Sequence, residues 1–155
     1  MAAPSKRAVA GLVGFTVGMM GLLSFPTTAA ADPTGAQATI TALTGTGSGH
    51  VLIAPAARNH GTFAVEITIN VKGASPDTVY TVSRSPDLKV DGVCMGTEVA
   101  IPPVTLETSA GGAGAVHFRL ERGAPFLSGT SFEVQFILRG DGSELRSECV
   151  TVTVK

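Results

Sequence analysis

Two cysteines, three histidines and a short run of acidic residues are the side chains here with the chemistry to do more than fold. Cys94 and Cys149 are not a C-x-x-C pair and have no histidine beside them, so redox catalysis and zinc ligation lack an anchor. In an oxidising compartment such a pair is expected to form a structural disulfide. It would close a loop of about 54 intervening residues. For that length the chain-entropy model gives roughly 4 kcal/mol, less any native strain.

The histidines are His50, His60 and His117. Imidazoles are the ligands a redox metal site needs, because nitrogen donors set its geometry. His117 alternates outward with Arg119, whose charge opposes a nearby cation. His50 opens a strand and His60 sits in a loop. All three read as surface or loop residues, and together they form the alternative metal set. Asp87 and Asp91 flank Lys89, with Glu98 beyond. Calcium takes about six to eight oxygens, so these read as solvated loop charges. Glu144, Arg146 and Glu148 read as a solvated strand face. Gly45-Thr46-Gly47-Ser48-Gly49 is what the chain offers in place of a G-x-S-x-G nucleophile elbow, and it falls between two strands. No helix follows to aim the Ser48 hydroxyl. A phosphate-binding P-loop and an H-E-x-x-H helix are also missing. The expectation is a non-enzyme without catalytic residues or cofactor.

The elements that position these residues are strands. Phe63, Val65, Ile67, Ile69 and Val71 alternate with Glu66, Thr68 and Asn70. The same period recurs over 116–121, 132–139 and 150–154. Weaker strands are expected over 38–43, 50–54, 78–83 and 98–108. The last contains Pro102-Pro103, which cannot donate ladder bonds and so marks an edge strand, or two short strands joined by a bend. Glycine-rich turns separate them. The pattern predicts an all-β fold, an antiparallel Greek-key β-sandwich of about eight strands. Cys149 falls on the Thr151/Thr153 side of the last strand, so a bridge there lies on the outer face or at a rim. Cys94 lies in residues 85–97, the longest stretch without alternation, which the bridge is expected to pin.

An export address precedes the domain. Lys6 and Arg7 give a basic start, an uncharged apolar run follows from Ala8 to Phe25, and Ala29-Ala30-Ala31 supplies small residues before Asp32. That order is the layout of a secretory signal. The expected organisation is a cleaved signal peptide over 1–31, a flexible mature N-terminus over 32–37, and one β-sandwich domain over 38–155. An uncleaved anchor is the alternative for the first segment. After cleavage nine basic residues face twelve acidic ones. This mild negative balance, with the basic residues scattered singly, argues against nucleic acid or an anionic membrane as partner. Trp is absent and Tyr80 is the lone tyrosine, which disfavours an aromatic sugar platform.

In chain order, Ala38-Thr39-Ile40-Thr41-Ala42-Leu43, the turn Val71-Lys72-Gly73-Ala74-Ser75-Pro76, Gly112-Ala113-Gly114-Ala115-Val116-His117-Phe118 and Leu127-Ser128-Gly129 resemble the Cu/Zn superoxide dismutase β-sandwich and its non-catalytic chordin-repeat relatives. The resemblance implies the same sandwich. The enzyme's H-x-H pair has no counterpart in Thr78-Val79-Tyr80-Thr81-Val82-Ser83-Arg84, so dismutation is not implied. The composition is also similar to exported immunoglobulin-like domains of high-GC Gram-positive bacteria.

The expected role is a secreted or cell-wall-associated binding or structural module. Its candidate binding loop is residues 85–97, with Asp87, Lys89, Asp91 and Met95, and its partner a protein or cell-envelope ligand. A metal-binding or degenerate dismutase-like protein is the first alternative. A secreted enzyme inhibitor is the second.

Overall fold

Where apolar and polar residues alternate, the chain pairs into antiparallel strands. The computed structural model describes residues 35–57 and 63–154. The expected export segment and His60 lie outside them. Nine strands form, one more than expected: β1 (Ala36–Thr44), β2 (Ser48–Pro55), β3 (Phe63–Lys72), β4 (Val79–Asp87), β5 (Val99–Glu107), β6 (Gly114–Arg122), β7 (Ser131–Gly140), β8 (Ser143–Ser147) and β9 (Val150–Thr153). There is no helix among the described residues. β1 opens at Ala36, ahead of the expected Ala38.

All nine strands belong to one sheet, ordered β5-β4-β7-β8-β1-β2-β3-β6, with β9 added on β7. Its two ends, β5 and β6, are consecutive in the chain. Ser109 N–H donates to Ala113 O (2.8 Å) in the turn between them. The sheet therefore curls until its ends meet, a barrel closed except for a ladder between β5 and β6. The expected edge strand with Pro102-Pro103 is one side of that seam. The β4–β5 register shifts between Thr81 and Ser83, opposite the prolines.

Alternation decides which side chains enter the core. Val65, Ile67, Ile69 and Val71 of β3 are buried, as are Tyr80 and Val82 of β4 and Phe132, Val134, Phe136 and Leu138 of β7. Each such aliphatic side chain contributes about 1.5–3 kcal/mol of burial free energy, and a one-residue slip would turn a whole strand's set to water.

β8 is the additional strand. Its buried positions are Ser143, Leu145 and Ser147, so it carries only one apolar residue. The serines are satisfied inside. Ser143 Oγ donates to Gly140 O (2.7 Å) and shares a 2.8 Å bond with Tyr80 Oη. Phe136 N–H donates to Ser147 Oγ (2.9 Å). β4 also runs further than expected, through Asp87. β7 supplies ladder partners Gln135, Val134 and Glu133 for Ser85, Pro86 and Asp87. The non-strand loop is therefore residues 88–98.

Candidate functional site: a pinned loop on the outer face

The loop is built on the outward positions of β4, β7 and β9. Cys94 and Cys149 are joined, with their Cα atoms 5.6 Å apart. Cys149 stands on the same face as Thr151, as the parity of the last strand requires. Between them lies Glu133 of β7, paired in register with Thr151. Glu133 is only 3% exposed although it sits on the outer face, because the loop covers it.

A buried carboxylate must have its lone pairs satisfied. Glu133 accepts from Gly92 N–H at Oε1 (3.0 Å) and Oε2 (3.1 Å), from Asp91 N–H (3.3 Å) and from Thr151 Oγ1 (3.3 Å). The Cys149 sulfur lies 3.5 Å from its Oε2. Glu133 thus holds the middle of the loop, while the disulfide holds the next turn. Gly92 takes a φ of 84°, a conformation costly for any residue with a Cβ.

The expected acidic candidates are spent on the loop's own backbone. Asp87 accepts from Lys89 N–H (3.0 Å) and Met95 N–H (3.0 Å), tying its beginning to its end. These two bonds, Lys89 first, hold the Asp87 carboxyl below its usual range. Asp91 Oδ1 accepts from Val93 N–H (3.1 Å). Ser85 Oγ donates to Gly96 O, and Gly96 lies so close to Pro86 O that a Cβ there would collide with it. At the exit, Glu98 accepts from Ser83 Oγ (2.5 Å) and pairs with Arg139, which also reaches Glu144 (2.8 Å). Arg139 is the main cause of the lowered Glu98 pKa. Glu98, Glu144 and Arg146, expected as merely solvated charges, are members of this ion-paired network.

The fixed backbone turns apolar side chains outward. Met95 is 81% exposed, Leu88 58%, Val93 53% and Val90 52%. Lys89 lies among them, also exposed. Chemically the loop is a stiff apolar surface with one cation. It offers no nucleophile with a base beside it.

The structure places the other candidates elsewhere. His50 and His117 stand on the outer face of β2 and β6, with β3 between them. His50 Nε2 bonds Asn70 Nδ2 (3.3 Å). His117 bonds Thr68 Oγ1 through Nδ1 (3.0 Å) and meets Glu66 through Nε2 (3.0 Å). Among the described residues, the cluster of three metal-capable side chains is Cys94, Glu133 and Cys149, two of which are consumed by the disulfide. Those residues do not fit a copper–zinc site.

Glu133 is the residue that sequence reasoning missed. As a lone Glu at an outward position of Phe132-Glu133-Val134 it looks solvated. The available signal was parity, since Cys149 and Thr151 were already assigned to the outer face of a neighbouring strand. No protein-family model, curated protein or solved structure matches this chain.

Proposed function

We propose that this chain is an exported, non-enzymatic binding module that recognises a protein at the cell surface or outside the cell through residues 88–98. The observation that carries the reading is the exposure of Leu88, Val90, Val93 and Met95 on a loop fixed by Glu133 and the Cys94–Cys149 bridge. A preorganised loop loses little conformational entropy on binding, and apolar side chains already facing water contribute burial free energy on contact. Lys89 among them favours a partner with an acidic rim. The disulfide and the basic–apolar–small N-terminal segment support export. The strand order, with β6 beside β3 and β7 beside β4, supports a Greek-key sandwich.

The test is capture from native cell surfaces on the immobilised protein. A Leu88→Ser/Val93→Ser/Met95→Ser variant, with its disulfide and thermal stability intact, should lose the captured partner by about tenfold or more. Equal capture by the variant would refute the loop as the recognition surface.

A further inference from the structure

Arg84 is the polar residue the fold leaves unexplained. It lies on β4 between Val82 and Pro86, on the inward face, opposite Phe136 of β7 and Val99 of β5. It is 8% exposed. Its Nε is buried without a hydrogen-bond partner, and no acidic side chain pairs with it among the described residues. Buried guanidinium groups are otherwise paired with carboxylates or phosphates, whose geometry matches their fork of donors. A buried donor of this kind calls for a partner, whether ordered water, an ion or a ligand.

The surroundings make the site more positive. Arg122, the last residue of β6, is within electrostatic reach of Arg84. Arg122 pairs in register with Phe63. β4 is joined to β5, and β5 meets β6 across the seam that carries no ladder. Arg122 Nη1 donates to Glu121 O (2.8 Å), and the two arginines flank β5 at the end of the seam where Val99 lies. Burial, and then the charge of Arg122, lower the affinity of Arg84 for its proton, so both act against an isolated cation there.

The rim is apolar. Val99 stands opposite Arg84 and is 44% exposed. Phe63, opposite Arg122, packs edge-on to Phe132 (5.5 Å between ring centroids) and against Phe126 (6.0 Å). A carboxylate with an apolar body suits both the guanidinium and this rim.

We propose that Arg84 and Arg122 form a binding site for a small apolar monocarboxylate, its carboxylate on Arg84 and its hydrocarbon against Val99 and Phe63. The site is independent of the loop on the outer face.

NMR of the purified protein tests this, following the Arg84 side-chain Nε–H during titration with octanoate, benzoate, acetate or inorganic phosphate. Octanoate and benzoate should give saturable shifts of that resonance, with acetate and phosphate weaker by about tenfold or more. Arg84→Met keeps an apolar stem of similar length and should weaken octanoate binding by at least about tenfold. Arg122→Gln, at the rim, should weaken it several-fold and keeps the test decisive if Arg84→Met does not fold. Phosphate binding as tightly as octanoate would overturn the ligand class. Undiminished octanoate binding in either arginine variant, or no saturable shift with octanoate and benzoate, would overturn the site.

Discussion

Glu133 and Asp87 show how a carboxylate can act without being a catalyst or a metal ligand. Each uses its oxygens to collect backbone N–H groups of one loop, Glu133 from beneath and Asp87 from its base. Glu133→Gln keeps the size but loses one acceptor oxygen. Removing one partner of a buried bond costs about 1–3 kcal/mol, so denaturant unfolding should show a loss of that order. Amide exchange should accelerate at Gly92 and Asp91 first, and unchanged exchange at Gly92 would exclude the anchor role. For Asp87 the pKa is depressed in the folded state. Its contribution is therefore fully present above the unfolded aspartate value and is lost as pH falls through the depressed one. The Lys89 and Met95 amide resonances should move together in that acid window, and independent titrations would contradict the shared carboxylate. Two of the residues expected to touch a partner, Asp87 and Asp91, thus serve the loop, while Lys89 and Met95 face outward.

At the scale of elements, the loop depends on one bridge between β4's continuation and the start of β9. A bridge between residues 55 apart in sequence is worth about 4 kcal/mol in the chain-entropy model. Cys94→Ser/Cys149→Ser should lower stability by an amount of that order. It should release residues 88–98 in hydrogen exchange well before the strands, because only the hydrogen bonds from Glu133, Asp87 and Ser85 and the ion-paired Glu98 then hold them. Uniform acceleration across all strands would show that the bridge secures the whole sheet instead. The strands with strong alternation were legible in the sequence: β3, β6, β7 and β9 appear within a few residues of their expected places. The proline-bearing strand also takes its expected position at an end of the ladder path. β8 was not legible. Serine at its buried positions resembles a turn until Tyr80, Gly140 and Phe136 are seen to satisfy those hydroxyls. The end of β4 was hidden for a related reason, since Ser85 and Pro86 lack alternation and are strand only because β7 pairs with them.

Across the whole molecule, two unlike surfaces share one scaffold. The outer face carries the exposed apolar loop, and the inward face of β4 carries the buried Arg84. The bridge itself was legible from two cysteines in a chain with an export signature, and its place on the outer face from the parity of the last strand. The loop's rigidity was not, because it rests on a contact between residues 41 apart in the chain, Gly92 and Glu133, that no local pattern encodes. The central claim is that this loop is where the protein meets its partner. A photo-crosslinking side chain placed at position 95 tests it most directly, with the same group at Leu43 as control. Leu43 is also exposed, at 63%, but belongs to β1, three strands from β4 in the sheet order. On native cell surfaces the protein should give a discrete adduct from position 95 and none from position 43. Adducts of equal yield from both positions, or none from position 95, would contradict the account.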